Sequence, residues 1–223
     1  MVGYSGGSAA AEWAGELAAS YAPELTIAGV AEGGIPVDLA HLTSYVSSAD
    51  AQSDPTFTMV GLARDFGFDL NAYLTAYGRQ HAAGAPGMCL ADAASIPATQ
   101  PVLLPQYQNV FAVPAFVDAF NRELEGQTPG NPTWPRFIGV GDSDGIGDGV
   151  MVTGDDIALA HDYCTKGEPV QLSVYVGQNH GAAATSFEND AFSFLEQRLA
   201  GLPATSECAV IPVGNPITPL PNP

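Results

Sequence analysis

The chain has 223 residues, 46% of them hydrophobic, and is long enough to bury a core in one or two domains. Its charge is one-sided, with 6 lysines and arginines against 24 aspartates and glutamates and a net charge of −18. Such a surface repels nucleic acid and anionic membranes, so we expect no nucleic-acid partner. No run approaches the ~18 consecutive apolar residues of a membrane span.

The first elements follow the order turn, helix, strand. Residues 3–7 are GYSGG, and the segment AAAEWAGELAASYAPEL that follows predicts an amphipathic helix ending at Pro23. The apolar run LTIAGVA predicts a buried strand over residues 25–31, and EGGIP at residues 32–36 predicts a loop. This is half of a βαβ unit whose first strand is very short.

Residues 40–132 have a different pattern and predict a mostly helical insertion. The segment TFTMVGLARDFGFDLNAYLTAYG predicts one or two amphipathic helices, and PAFVDAFNRELEGQ predicts another. Residues 82–114 are rich in proline and loops. GQTPGNP at residues 126–132 predicts a linker.

The α/β pattern returns after the insertion. RFIGVG at 136–141 and VQLSVYV at 170–176 predict strands, while residues 155–165 and 185–200 predict helices. The predicted organisation is a core formed by residues 1–39 and 133–203, interrupted by the insertion. The Pro-rich tail at 204–223 should be extended and solvated.

GYSGG matches the G-x-S-x-G nucleophile elbow, a strained strand-to-helix turn that exposes a serine hydroxyl above a sheet. Gly3 and Gly7 are expected to let the turn close, with Ser5 as the nucleophile. The Gly6 N–H is then the expected oxyanion donor. The alternative is an ordinary glycine-rich turn.

Of the four histidines, His180 is the best candidate for a general base. It follows the strand VQLSVYV by a short loop and precedes a helix, and in α/β-hydrolases the histidine comes last in the chain order. His161 is predicted to be a structural residue of a helix, and His41 and His81 lie at the edge of the insertion and within it.

The acid that orients the histidine should lie in the loop GDSDGIGDGVM, which offers Asp142, Asp144 and Asp148. A calcium loop is the competing interpretation, because D-x-D-x-x-x-D resembles the start of an EF-hand. The glutamate at the twelfth position is absent, however, and no helix pair flanks the loop. The order of serine, aspartate and histidine is that of the hydrolases.

The chain has three cysteines, Cys89, Cys164 and Cys208, and none of them forms a Cys-x-x-Cys pair or a Cys/His cluster. We therefore expect no zinc site. The odd count leaves at least one thiol unpaired, so either one disulfide forms or all three cysteines are reduced.

The sequence resembles the secretory lipase family, which includes yeast lipase A-like and actinobacterial members, over most of residues 1–208. The resemblance rests on GYSGG with the helix after it, on GVAEGGIPVDL, on GDGVM with DDIALAHDYCTKG, and on YVGQNHGAA with FLEQRLAG. It implies an α/β-hydrolase core with a helical cap over an acyl-binding tunnel. The implied activity is hydrolysis of carboxylic esters, often long-chain triacylglycerols, without a metal or organic cofactor.

Carried over to this chain, the resemblance makes Ser5 the nucleophile and His180 the base. The family's aspartate precedes two apolar residues and a helix that ends in tryptophan and cysteine, where this chain has Tyr163 and Cys164. Asp148, followed by Val150 and Met151, fits that pattern better than Asp144. The resemblance also implies a disulfide between Cys164 and Cys208, an upstream partner for Cys89, and export to an oxidising compartment.

In the family the core begins well before the elbow, so this chain resembles the C-terminal portion of such a lipase, without the early strands and the second oxyanion donor. No signal peptide is visible at its front. We expect exposed apolar sheet edges and helix faces, and poor solubility or activity of the isolated chain. Lipid or a small ester is the expected substrate, with peripheral contact to a lipid interface. Acyl transfer on the same triad and a non-catalytic remnant are the alternatives.

Overall fold

A computed structural model describes residues 1–49, 56–89, 98–127 and 134–223. The chain divides into two compact units. The first comprises Met1–Leu42 and Leu124–Ile217, and the second comprises Thr43–Glu123 and Thr218–Pro223. The linker predicted at residues 126–132 falls mostly outside the described residues.

The helices of the described residues are α1 (Gly6–Tyr21), α2 (Leu39–Ala49), α3 (Thr56–Phe66), α4 (Ala76–Gly84), α5 (Pro114–Arg122), α6 (Thr153–Thr165) and α7 (His180–Leu199). The strands are β1 (Val2–Tyr4), β2 (Val30–Gly33), β3 (Arg136–Asp142) and β4 (Val170–Val176). The strands form one sheet in the order β1-β2-β3-β4. All neighbours are parallel, so the carboxyl ends of the strands lie at the same edge of the sheet.

Helices cover both faces of this sheet. Ile138 of β3 packs against Leu159 and Tyr163 of α6, while the adjacent Phe137 packs against Phe187 of α7. Successive residues of a strand point to opposite faces, so α6 and α7 lie on opposite sides of the sheet. Helix α1 lies on the same side as α6, because Glu12 of α1 contacts Arg136, two residues before Ile138.

The predicted strand over residues 25–31 is wrong in its position, because β2 is Val30–Gly33 and Leu25 is exposed. Glu32 lies inside this strand and is completely buried, whereas the sequence placed it in a loop. A buried glutamate is tolerated here because Arg136 on the neighbouring strand donates a hydrogen bond to it. The strands β3 and β4 and the helix α6 lie where the sequence predicts them.

Helix α7 begins at His180, earlier than the predicted start at residue 185. Asn179 explains the early start, because its side-chain oxygen accepts a hydrogen bond from the Ala182 N–H and caps the helix. The sequence does not predict α2 as a separate helix, because polar residues alternate irregularly with apolar ones in this segment.

The tail at residues 204–223 contains no helix or strand and most of its residues are exposed, as the sequence predicts, but parts of it are attached to neighbouring elements. Asn215 donates a hydrogen bond of 2.7 Å to Asp155 near the start of α6, and Ile217 packs against the core beside that helix. Cys208 forms a disulfide with Cys164 at the other end of α6, with a Cα–Cα distance of 5.4 Å. This pairing agrees with the resemblance. The thiol of Cys89 is free and exposed.

The second unit is built around aromatic side chains from α5 and from the loop after α3. The rings of Phe68 and Phe116 meet edge to face, with centroids 5.2 Å apart, and Tyr73 contacts Phe116 from another side. Phe116 is completely buried. The last residues of the chain join this unit through hydrogen bonds in both directions between Asn121 and the backbone of Leu220.

An apolar groove of about 380 Å³ runs along α1 in the first unit. It is lined by Met1, Trp13, Leu17, Ala18, Tyr21 and Leu25. Tyr21 is 87% exposed.

Strand β1 pairs only with β2 within the described sheet, so its other edge carries no strand. Among the described residues, no helix combines the length and apolarity that crossing a membrane requires.

A buried charge cluster lies between the sheet and the helices α1 and α6. Arg136 is completely buried and donates hydrogen bonds to Glu12, to Glu32 at 2.8 Å and to Glu168 at 2.7 Å. Its guanidinium also lies 3.6 Å from the ring centroid of Tyr163. One cation therefore faces three carboxyl groups in a space closed to water.

Burial controls the protonation of this cluster. It raises the pKa of Glu12 well above the ordinary value and raises that of Glu168 to about 7, although the charge of Arg136 opposes both shifts. Burial alone would lower the pKa of Arg136, but the attraction of Glu32 and the other carboxylates raises it, and the guanidinium stays charged. Burial therefore favours the protonated form of these carboxyl groups, and the charge of Arg136 favours the ionised form.

We predict that Glu168 makes the protein less stable as the pH rises from about 5 to about 8. Because the pKa of Glu168 is raised in the folded state, its contribution is fully present below the unfolded pKa and is lost as the pH passes about 7. The expected loss in the free energy of unfolding is on the order of 1–3 kcal/mol. Urea unfolding followed by tryptophan fluorescence at both pH values measures it.

The variant Glu168→Gln should reduce this pH dependence, because an amide does not titrate. Glu196→Gln on the exposed side of α7 is the matched control and should leave the dependence unchanged. Equal pH dependence in the wild type and in Glu168→Gln would contradict the assignment.

Candidate active site

Ser5 lies in a strained turn between β1 and α1. Its φ is 56°, and it is the one non-glycine residue with a positive φ among the described residues. A Cβ on Gly3 would lie 1.9 Å from the carbonyl oxygen of Gly7, so the turn requires glycine at position 3. At Gly7, an added Cβ would meet open space among the described residues. The tight turn therefore depends on Gly3 and not on Gly7, contrary to the expectation for Gly7.

The backbone of the turn is fixed from both sides. The Ser5 N–H donates to the carbonyl of Gly33 at 2.8 Å, and the buried Ser8 hydroxyl donates to the carbonyls of Ser5 and Gly34. Gly6 is the first residue of α1. The first N–H groups of a helix have no partner within the helix, so the Gly6 N–H is available at the positive end of the helix dipole.

His180 is placed between Ser5 and Asp148. Its Nε2 lies 2.9 Å from the Ser5 hydroxyl oxygen, and its Nδ1 lies 2.7 Å from Oδ2 of Asp148. The His180 backbone N–H also donates to the carbonyl of Asp148 at 2.8 Å. The three side chains form a continuous hydrogen-bonded chain, with one imidazole nitrogen on the serine hydroxyl and the other on the carboxylate.

Asp148 is 1% exposed, and both of its carboxylate oxygens accept hydrogen bonds. Oδ1 accepts the backbone N–H groups of Val150 and Met151, at 2.9 Å and 2.7 Å, while Oδ2 faces His180. These bonds hold the carboxylate in one orientation, as a group that must fix an imidazole tautomer requires.

The other two aspartates of the loop stabilise its backbone. Asp144 accepts the N–H groups of Ile146 and Gly147, and Asp142 accepts that of Gly145. The structure thus brings Asp148, rather than Asp142 or Asp144, to His180. In the part of the chain that the structure describes, no group of three or more His, Cys, Asp or Glu side chains is arranged to hold a metal ion.

The remaining histidines lie elsewhere. His41 faces Asp155, with Nδ1 3.1 Å from Oδ1, and His161 is half-buried on α6. His81 belongs to the second unit and stacks on Tyr77 with 5.6 Å between ring centroids. Of the four, His180 is the one whose ring reaches the Ser5 hydroxyl among the described contacts.

The structure adds three residues that the sequence did not single out. Gly34 has a φ of +52°, and a Cβ there would lie 3.1 Å from Cε1 of His180. The completely buried Asp156 accepts the Ile35 N–H at 3.0 Å and so fixes the turn that contains Gly34. Burial raises the pKa of Asp156 well above its ordinary value. The third is Tyr4, whose hydroxyl donates to the His180 carbonyl. Only the double glycine in EGGIP could have indicated such a turn.

The sequence profile of the secretory lipase family matches residues 1–207. The chain belongs to the secretory lipase family. It is 29% identical to a trichothecene C-3 esterase of Fusarium sporotrichioides over 181 residues, which cover 75% of this chain and 39% of that protein. It is 24% identical to a secreted triacylglycerol lipase of Malassezia furfur over 209 residues, which cover 89% of this chain and 39% of the lipase. The chain therefore spans about two fifths of the length of these relatives.

Among solved structures, the chain is similar to lipase A of Candida antarctica in its closed state. The TM-score is 0.73 at 25% identity, and the match covers 96% of this chain and 52% of the lipase A chain. The parallel sheet with helices on both faces and this similarity confirm the α/β-hydrolase fold that the sequence predicts.

We predict that Gly141→Ala disturbs the site, because Gly141 lies where two loops converge. An added Cβ would lie 2.6 Å from the carbonyl oxygen of Gln178 and 2.8 Å from Cβ of Asp148. One of these loops must then move, at a cost of about 1–3 kcal/mol in the free energy of unfolding. Urea unfolding of the variant measures this cost.

Gly61→Ala in α3 is the control, because an added Cβ there meets open space among the described residues. We expect this variant to be as stable as the wild type or slightly more stable. Equal free energies of unfolding for the two variants would contradict the prediction, because they would show that the two loops can accommodate a side chain at position 141 without cost.

Proposed function

We propose that the protein that carries this chain is a carboxylic ester hydrolase of lipase type. The observation that carries the proposal is the hydrogen-bonded chain from Asp148 through His180 to Ser5. Membership of the secretory lipase family supports it. Distances of 2.7 Å and 2.9 Å lie within the range over which protons transfer between positioned groups.

In the proposed reaction, Ser5 Oγ attacks the ester carbonyl while His180 Nε2 takes its proton. Asp148 holds the imidazole in the required tautomer and stabilises the imidazolium that forms. His180 then gives the proton to the departing alcohol, which leaves an acyl-enzyme on Ser5. Water activated by His180 attacks this ester, and the acid product leaves with the serine restored.

The Gly6 N–H is proposed as a donor to the oxyanion of the tetrahedral intermediate. It belongs to the first residue of α1, directly after the nucleophile, where the helix dipole favours negative charge. An added Cβ at Gly6 meets open space among the described residues, which leaves room for a carbonyl group beside Ser5. Donors fixed in this way are a large contribution to catalysis in acyl transfer.

The proposed substrates are neutral lipids or small esters. A net charge of −18 disfavours anionic substrates, and the two relatives are named for a trichothecene ester and for triacylglycerols. The family is a secretory one, and we propose that this protein is secreted as well. The disulfide between Cys164 and Cys208 agrees with an oxidising compartment.

We predict that Ser5→Ala nearly abolishes hydrolysis of a p-nitrophenyl ester, because the variant lacks the hydroxyl that forms the proposed acyl-enzyme. The expected loss in kcat is roughly 10³-fold or more. Colorimetric turnover of the purified variant and wild type measures it. Full activity in Ser5→Ala would contradict the proposal, and a wild type that binds ester or lipid without turnover would favour a non-catalytic remnant.

We predict that Asp148→Asn lowers kcat by roughly 10³- to 10⁴-fold, because the amide favours the wrong imidazole tautomer. Asp144→Asn is the matched control from the same loop. Its side-chain carbonyl can still accept the N–H groups of Ile146 and Gly147, so we expect activity close to that of the wild type. Loss of activity in Asp144→Asn with retention in Asp148→Asn would reverse the assignment of the acid.

A further inference from the structure

Tyr4 joins the nucleophile's strand to the histidine. It is the last residue of β1 and directly precedes Ser5, and its hydroxyl donates a hydrogen bond of 2.6 Å to the backbone carbonyl of His180. Its ring centroid lies 5.0 Å from that of the imidazole, with the two planes inclined by 37°. One side chain thus contacts His180 at both the backbone and the ring.

His180 is the first residue of α7, so no preceding helical turn holds its backbone. Its N–H donates to the carbonyl of Asp148, and its carbonyl accepts from Tyr4. The backbone of His180 is therefore hydrogen-bonded to Asp148 through its N–H and to Tyr4, which precedes Ser5, through its carbonyl.

The surroundings of Tyr4 keep its hydroxyl a neutral donor. Burial raises the tyrosine pKa, and the nearby carboxyl groups of Asp148 and Asp156 raise it further. The ring of Phe187 packs against that of Tyr4 with 5.4 Å between centroids, and the Gly34 backbone lies so close that a Cβ added there would be 3.3 Å from Tyr4 Cζ. The tyrosine ring is thereby held in place against the imidazole.

We propose that Tyr4 is a positioning residue that holds His180 at the proton-transfer distance from Ser5. The inference rests on the proposed ester hydrolysis and assigns to Tyr4 a function beyond its place in the elbow. The Tyr4 hydroxyl fixes the position of the His180 backbone, and the Tyr4 ring restricts rotation of the imidazole. The ring centroid is also within the ~6 Å at which an aromatic face stabilises a cation, so it favours the imidazolium formed during attack.

The test compares Tyr4→Phe with Tyr4→Leu in steady-state ester hydrolysis. Tyr4→Phe removes only the hydroxyl and should lower kcat roughly 5- to 20-fold with KM within about twofold, because the geometry of proton transfer is changed and substrate binding is not. Tyr4→Leu also removes the ring and should lower kcat further. The rate at which a serine-directed phosphonate labels Ser5 should fall in parallel with kcat.

Tyr175→Phe is the matched control. Tyr175 is half-buried and also donates its hydroxyl to α7, at 3.0 Å to Asp190, but it does not contact His180 through that bond. A residue that only docks α7 would lower the melting temperature in both phenylalanine variants and leave kcat unchanged. We expect similar melting temperatures for the two variants and a loss of kcat in Tyr4→Phe alone.

The outcomes separate this inference from the function on which it rests. If the wild type turns over ester, Ser5→Ala does not, and Tyr4→Phe matches the wild type, the role of Tyr4 is wrong and the proposed function stands. If the full-length wild-type protein that carries this chain shows no Ser5-dependent turnover, the proposed function fails. Equal loss of kcat in Tyr4→Phe and Tyr175→Phe would show that the loss does not require the bond to His180 and would overturn the inference.

Discussion

The parallel direction of the four strands is the constraint on which the site depends. It brings the carboxyl ends of β1, β3 and β4 to one edge, and Ser5, the loop with Asp148 and the loop with His180 follow those ends. Residues 175 positions apart in the chain thereby come within 2.9 Å of one another. Gly3 and Gly141 permit this, because each leaves space where backbone or a neighbouring side chain must pass.

The interior behind this edge contains a buried arginine and several carboxyl groups, which is an unusual choice for a core. Arg136 connects β3 to α1 through Glu12, to β2 through Glu32 and to the residues before β4 through Glu168. Breaking such a network leaves uncompensated buried charge, so its geometry is strongly specified. It fixes α1, which starts at the elbow, relative to the two central strands.

Sequence patterns located the elements that hold the candidate site, because Ser5, Asp148 and His180 each follow a short apolar strand. The choice of Asp148 over Asp144 came from the family resemblance, since spacing alone leaves both open. Patterns of apolar residues placed β2 too early in the chain, because Glu32 looks like a loop residue until Arg136 is known to face it. Tyr4 could not be assigned from sequence for a related reason: its partner is a backbone carbonyl 176 positions away. The contact of Asn215 with α6 could not be predicted either, because it lies in a proline-rich segment without a periodic apolar pattern.

The central claim is that Ser5 becomes acylated during turnover, and trapping that intermediate tests it most directly. The protein is mixed with a slowly hydrolysed p-nitrophenyl ester, quenched with acid and mapped by peptide mass spectrometry. The account predicts an added acyl mass at Ser5, on the peptide that contains it, that disappears as the ester is consumed. Turnover of the ester with no acyl group on Ser5, or with the acyl group on another residue, would contradict it.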